Sequence, residues 1–405
     1  MKTRILFVDD QPEILAGLRR MLRGFRDEWQ MEFVDGPELA LAMMEQCRYE
    51  VVVSDMFMPG MNGTEFLSAV MRRYPETVRI ILSGQADQQS IFRAVTPAHQ
   101  FLSKPCDPEI LKATVARACS LRSKLSQESL IRVVSQVTSL PSLPHVYNEL
   151  LQELQSEDAS VKRVADLISR DVGMSAKLMQ LVNSSFFGTP RRVESPSHAT
   201  AMLGLKVLKP LILSAGIFSQ FDACGLHGYS LDTLMDHSLM VSHLAHQFAW
   251  RHGDDKVLAE DSLVAGLLHD VGQLILAANL KTQYRDTLAL ARDQQLALYE
   301  AEVERLGASH ADVGAYLLGL WGLPDPIVEA VAYHHCPLRC PAGSVSPLTF
   351  VHVANVLANE SLPSAGITLS LTIDEEYLDR LGVADQLSKW RSLSHEYYSA
   401  RCQLT

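Results

Sequence analysis

The chain has 405 residues, 47 acidic and 36 basic, and a formal net charge of −11. That length predicts two or three domains, and 47% hydrophobic with 20% charged residues is globular composition, which excludes a largely disordered, fibrous or coiled-coil protein. The negative charge argues against a nucleic-acid binder that works by neutralising phosphates. In chain order, the first 122 residues alternate β-rich runs with amphipathic stretches, the pattern of a parallel sheet covered by helices. Strands are predicted at Arg4–Asp10, Met31–Asp35, Glu50–Asp55, Val78–Ser83 and Gln100–Ser103. Helices are predicted at Pro12–Gly24, Pro37–Cys47, Thr64–Tyr74, Gln88–Val95 and Pro108–Leu121. Five such units, with Val51, Val52 and Val53 in a near-continuous apolar third strand, read as a small doubly wound α/β fold of the flavodoxin-like kind.

Three acidic residues stand at carboxyl ends of these strands: Asp9 and Asp10 after the first, Asp55 at the third. In an open parallel sheet, ligands bind outside the carboxyl ends where the winding direction switches, so these groups should converge. Three crowded carboxylates repel unless a divalent cation neutralises them, and a hard, oxygen-seeking ion such as Mg²⁺ fits. Ser83 and Lys104 end the fourth and fifth strands and add a hydroxyl and an ammonium to the same rim. This set suits phosphoryl transfer, where catalysis is mainly positioning and charge neutralisation, and an aspartate can itself be the nucleophile.

The strings ILFVDD (5–10), VVVSDMFMPGMNG (51–63), IILSG (80–84) and FLSKP (101–105) resemble the receiver domain of two-component response regulators. The resemblance spans residues 1–122 and implies that Asp55 accepts a phosphoryl group from a histidine kinase. It further implies that Asp9, Asp10, Asp55 and the backbone carbonyl of Phe57 hold Mg²⁺. Ser83 would be the switch hydroxyl, Lys104 the phosphoryl contact and Phe101 the aromatic switch, while the small Gly84 leaves a donor access to Asp55.

Residues 123–139 turn polar and read as a helical linker. Beyond them no strand is expected, and helical spacing predominates, as in Leu150, Leu151 and Leu154 or Val164, Leu167 and Ile168. Further helices are predicted around 232–251, 259–278, 309–321, 324–335 and 347–359. His237 lies on an apolar stripe with Val241, Leu244 and Phe248. His269 and Asp270 fall inside the apolar run AGLLHDVGQLIL, read as one helix. His310 opens a helix behind Ser309, with Asp312 three residues on in a near-capping box, and His334 and His335 close the helix after Pro324. A His-Asp doublet plus distant helical histidines is the ligand inventory of a metal-dependent phosphohydrolase. Cys336 and Cys340, beside this pair, form a candidate softer zinc site.

From about Val133 to Asn359 the chain resembles an HDOD domain, an HD-related output module placed here at 140–360. The resemblance rests on LPSLPHVYNELLQEL (140–154), VADLISRDVGMSAKLMQLVNSSFFG (164–188), AGLLHDVGQLIL (265–276) and HADVGAYLLGLWGLPDPIVEAVAYHH (310–335). The resemblance implies an all-α, HD-like fold and a signalling or interaction role without hydrolase activity. His237, His269, Asp270, His310, His334 and His335 nevertheless match the HD metal-ligand pattern, which would take a divalent transition metal. Two departures argue against turnover: Asn355 stands at the final carboxylate position, and no Gly-Tyr-Pro loop follows His335. The remaining residues, 361–405, read as a helical extension.

The expectation is a response regulator whose output domain binds a downstream signalling protein. The alternative is a receiver-gated, metal-dependent phosphodiesterase of the cyclic-dinucleotide type. The 123–139 segment and a homodimer formed through the fourth and fifth receiver helices are two open routes of coupling to the output, and neither a membrane nor a nucleic acid is expected as partner. No apolar stretch is expected to reach the ~20 residues a membrane span requires, no secretory signal is visible, and the seven scattered cysteines read as reduced thiols, which together point to the cytoplasm.

Overall fold

A computed structural model describes residues 2–83, 97–104, 106–124, 131, 134, 137, 140–142, 144–156, 158–183, 193, 195–215, 218–220, 230–341, 343–361 and 371–402. The expected helix at 88–95, Gly84 and most of the 123–139 linker lie outside the described residues.

The N-terminal part builds β1 (Thr3–Val8), α1 (Pro12–Met21), β2 (Trp29–Val34), α2 (Pro37–Gln46), β3 (Val51–Asp55), α3 (Gly63–Arg73), β4 (Val78–Ser83), β5 (Gln100–Ser103) and α4 (Pro108–Lys124). All strand pairs are parallel, in the order β2-β1-β3-β4-β5. The chain winds from β1 to β2 on one side and to β3 on the other, so the switch crevice opens between β1 and β3. Every residue of β3 is buried, as expected of a central strand covered on both faces. Pro12 and Pro37 start α1 and α2, where a missing N–H costs no helical bond. Asn62 and Glu65 cap α3 reciprocally, at 2.9 and 3.1 Å. Gly63 is required by packing: a Cβ there would lie 1.9 Å from the Asp55 carbonyl oxygen. That contact anchors the loop after β3 against its own strand.

The rest is mostly helical: α5 (Pro144–Gln155), α6 (Val161–Ser169), α7 (Val172–Asn183), α8 (Pro196–Ala215), α9 (Leu231–Gly253), α10 (Lys256–Leu268), α11 (Val271–Asn279), α12 (Lys281–Gln294), α13 (Leu298–Leu306), α14 (His310–Leu320), α15 (Asp325–Tyr333), α16 (Pro347–Ser361), α17 (Glu375–Arg380) and α18 (Leu387–Cys402). Two three-residue strands, Leu140–Ser142 (β6) and Phe218–Gln220 (β7), pair in parallel, contrary to the strand-free expectation. Segments this short carry no period-2 signal, and only folding brings them together. In α18, Trp390 lies 5.6 Å from the ring of Phe248 and 5.9 Å from that of Phe350, closing the helical core.

The run expected as one helix over 259–278 is two. α10 ends at Leu268, and Asp270, at φ −101° and ψ 11°, turns the chain before α11. The cause is a close approach: a Cβ on Gly272 would lie 1.9 Å from the His310 carbonyl oxygen, so α11 presses onto the start of α14. By length and composition, Lys256–Asn279 does reach the apolar character of a membrane-crossing segment, which corrects the sequence reading. Here 83% of its most apolar window is buried inside the fold.

Candidate functional site

The crevice between β1 and β3 gathers the predicted acidic residues. Asp9 is 1% exposed and Asp55 6%. Lys104, just past β5, donates to Asp9 Oδ2 at 2.6 Å and to Asp55 Oδ1. Asp55 Oδ2 accepts from the Phe57 amide at 2.9 Å, and Asp9 Oδ1 from the Gln11 amide at 3.0 Å. Burial pushes the Asp55 carboxyl above its usual range, opposed by Lys104 and the Phe57 amide. Among the described residues, the buried Asp10 Oδ1 has no hydrogen-bond donor. An orphaned oxygen on the residue next to Asp9 fits a cation and an all-oxygen donor set suits Mg²⁺, while among the described residues the three carboxylates do not close into one ligand group. Ser83 pairs with Ser103 at the carboxyl ends of β4 and β5, on the same rim. Phe101 is buried at 4% exposure, with its strand leading directly into Lys104.

A second cluster lies at the centre of the helical half. Asp270 is its hub, and its two oxygens face different imidazoles. Oδ1 lies 3.1 Å from His310 Nε2 and 3.6 Å from His334 Nε2; Oδ2 lies 3.3 Å from His269 Nε2 and 4.0 Å from His237 Nε2. His335 Nε2 meets His310 Nε2 at 2.9 Å. Ligand atoms therefore converge in two groups that share Asp270: one with His310, His334 and His335, the other with His237 and His269. Neither group includes Cys336 or Cys340, so the candidate thiol site is not assembled among the described residues.

The outer nitrogens fix the tautomers. His269 Nδ1 faces the Gly266 carbonyl at 2.7 Å and His334 Nδ1 the Val331 carbonyl at 2.8 Å. A carbonyl oxygen only accepts, so Nδ1 carries the proton in each and Nε2 presents a lone pair to the centre. Those two Nε2 atoms are buried and lack a hydrogen-bond partner among the described residues, as does Asp270 Oδ1. Inward lone pairs backed by outer acceptors are the arrangement of metal-bound histidines, and the nitrogen-rich set suits a transition metal. The final carboxylate position behaves differently. His237 Nε2 lies 2.9 Å from Asn355 Oδ1, which also accepts from Asn359 Nδ2 at 3.0 Å. His237 thus donates to the amide, which leaves His269 Nε2 as the unpartnered nitrogen of this half.

Sequence reasoning missed Glu302. This carboxylate is fully buried on α13, and its Oε2 accepts from the His310 backbone amide at 2.7 Å and faces His310 Nδ1 at 2.6 Å. Tyr284 donates to its other oxygen at 3.2 Å. The signal was its place on the apolar stripe Leu298, Ala301, Glu302 and Leu306, all buried in the structure. Burial opposes the His310 cation, but Glu302 and Asp270 outweigh it and raise the imidazole to about 10. His310 therefore sits between two buried carboxyl groups, Glu302 on its Nδ1 side and Asp270 on its Nε2 side.

These shifts set a pH dependence for the metal-free chain. Burial lowers His237 and His334 to about 4, below the ~6.5 of an unfolded chain. Between those values the unfolded chain takes up protons that the folded one refuses, so stability falls as pH drops from about 6.5 to 4. The His310 contribution runs the other way: it is complete below about 6.5 and lost as pH rises towards 10. Thermal unfolding in the presence of chelator should accordingly show a maximum near neutrality. A melting temperature that stays level from pH 4 to 7 would contradict the assignment of neutral, buried imidazoles.

Residues 5–116 match the response regulator receiver domain family, and residues 140–337 match the HDOD domain family. The chain therefore carries an N-terminal receiver domain of the response regulator family and a C-terminal HDOD domain. Among curated relatives, an uncharacterized protein of Treponema pallidum is 24% identical over 255 residues, 61% of this chain and 46% of that protein. The hydrogenase transcriptional regulatory protein HoxA of Cupriavidus necator is 36% identical over 116 residues, 28% of this chain and 23% of that one. The chain thus spans less than half the length of these relatives. Among solved structures, the MmoQ response regulator of Methylococcus capsulatus is similar at 22% identity and a TM-score of 0.48, covering 62% of this chain and 98% of that one.

Proposed function

We propose that the protein is a phosphorylation-dependent switch in which Asp55 accepts a phosphoryl group from a histidine kinase and the HDOD domain transmits the event by binding a signalling protein. The observation that carries this reading is the crevice itself: Lys104 joins Asp9 to Asp55, and the adjacent Asp10 carries a buried oxygen with no donor among the described residues. Asp9, Asp10, Asp55 and the Phe57 carbonyl would hold Mg²⁺, which neutralises the charge of the incoming group. Lys104 and Ser83 would contact the phosphoryl oxygens, and Phe101 would respond to their movement. The domain division that goes with this reading is 1–122, a connecting 123–139, 140–360 and a 361–405 extension. Mass-spectrometric peptide mapping after treatment with acetyl phosphate and Mg²⁺ tests the acceptor: the adduct should fall on the peptide containing Asp55. Affinity capture with unphosphorylated and phosphorylated chain tests the output, and an identical set of bound proteins would contradict it.

The inward lone pairs around Asp270 favour a second property, a divalent transition metal in the HDOD domain. His310, His334, His335 and Asp270 would form the stronger half of the site, with Glu302 orienting His310 from behind. The other half holds Asn355 where a charged ligand would anchor a second ion, which supports a single ion and a structural or sensory role. The phosphodiesterase alternative requires the bound metal to activate water. Stoichiometric metal together with phosphodiester cleavage that is lost in an Asp270→Ala variant would establish it over pure protein binding.

A further inference from the structure

The receiver sheet has two edges, and they differ. At β5 the helical half lies against the edge: a Cβ on Gly322 would be 3.5 Å from the Gln100 side-chain amide, and Arg117 on α4 donates to the Leu323 carbonyl. At β2, among the described residues, no further strand pairs with the outer side. The Val34 carbonyl accepts from the Asp9 amide, so the backbone groups of Val34 are aimed at β1. Those of successive strand residues point to opposite sides, so Glu32 and Gln30 also face β1, while Phe33 and Met31 turn N–H and C=O to the open side. Such an edge is a template for another chain, and proteins commonly blunt it with lysine, proline or a bulge. β2 has none of these: it reads WQMEFV and keeps unbroken register with β1 over all six residues. Its one charged side chain, Glu32, is already held by Arg4 at 3.3 Å and by the Tyr49 hydroxyl.

A groove of about 830 Å³ runs beside this edge. Met31, Phe33 and Met43 supply apolar lining, and Lys2, Arg19 and Arg26 supply cations. The only carboxylate in the lining is Glu32, already engaged. The Arg19 guanidinium reaches from α1 to 5.0 Å over the Phe33 ring, and Lys2 donates to the Arg26 carbonyl at 2.7 Å. Among the described residues, none of these three cations has a carboxylate in ion-pair reach, on a chain whose net charge is −11. The chain reverses its winding direction after β2, so right-handed crossovers put α1 and α2 on opposite faces, and Arg19 and Met43 flank the edge from two sides. We propose that the β2 edge receives an extended acidic segment of a partner protein as a sixth strand, with carboxylates toward Arg19 and alternate apolar side chains toward Met43. The backbone row selects protein over nucleotide or lipid, because its alternating donors and acceptors are matched by another strand. The unpaired cations select acid. They also oppose a second copy of this chain, since two such edges would bring Arg19 and Arg26 of both chains together. The inference is independent of Asp55 as acceptor.

Amide hydrogen exchange of the full chain, followed residue by residue with NMR, tests the proposal with a blocked peptide of alternating Glu and Val as the probe. At saturating peptide the Met31 and Phe33 amides should exchange roughly tenfold slower, while the Glu32 amide, already aimed at β1, should hold its rate. A peptide of alternating Lys and Val should protect neither. Arg19→Glu/Arg26→Glu should weaken binding of the labelled Glu-Val peptide about tenfold or more, read by fluorescence anisotropy. Met31→Pro removes one outward N–H and no bond to β1, so it should weaken the peptide while the melting temperature is kept. Binding that leaves both amides unprotected, equal protection by the two peptides, or no protection at millimolar Glu-Val peptide overturns the strand addition. Protection that grows with protein concentration in the absence of peptide identifies a second copy as the occupant and overturns the acidic partner. Should Met31→Pro fail to fold, the paired arginine variant still decides, and undiminished affinity there overturns the proposal.

Discussion

Asp55→Asn is expected to reduce labelling by acetyl phosphate from near stoichiometric to background, with the fold retained. The nucleophile must be an anionic oxygen free to form a bond to phosphorus, and an amide at this position supplies none. The volume is preserved, and the Phe57 amide keeps an acceptor in the side-chain carbonyl, so the crevice should stand. Asp9 and Asp10 are the nearest rivals as acceptors. Asp9 is the more deeply buried, at 1% exposure against 6% for Asp55. Removing Mg²⁺ with a chelator should abolish labelling of the wild type as well, because three carboxylates and an incoming phosphoryl group would then share one lysine. Full-stoichiometry labelling of Asp55→Asn would remove the assignment.

Loss of metal affinity in Asp270→Ala is the second large effect expected. Asp270 presents one oxygen to His310 and His334 and the other to His269, so its removal takes the shared anion from both ligand groups. Titration of metal-free protein with Mn²⁺ or Zn²⁺, followed calorimetrically, should give about one ion per chain in the wild type and none in the variant. Glu302→Gln separates orientation from ligation. It leaves all inward nitrogens in place and weakens only the support of His310, for which a 10–100-fold loss of affinity is expected. Uptake should release a proton, since His310 exchanges its inward proton for the ion. Binding unchanged by Asp270→Ala would mean that the histidines are retained for packing.

The strand-end carboxylates and Lys104 were legible in the sequence because each sits at a fixed offset from a strand, and parallel β/α winding brings all strand ends to one rim. The fold of the first domain followed from the same local periodicities. The histidines, too, could be placed on helices by spacing, and the HDOD resemblance identified them as a set. Glu302 could not be paired with His310, since nothing in a nine-residue helical run says which neighbour its buried carboxylate faces. Nor did composition reveal the turn at His269 and Asp270: AGLLHDVGQLIL reads as uninterrupted helix, and the break comes from the contact of Gly272 with the start of α14. The pairing of Leu140–Ser142 with Phe218–Gln220 and the seat of Arg117 on the 323–325 turn likewise join segments 78 and about 206 residues apart. By itself, the sequence determined which groups carry the chemistry, because side-chain type and periodicity are local properties. Only the tertiary structure decided which groups share Asp270, which position is satisfied by an amide, and which receiver face is covered, because those depend on how distant helices pack.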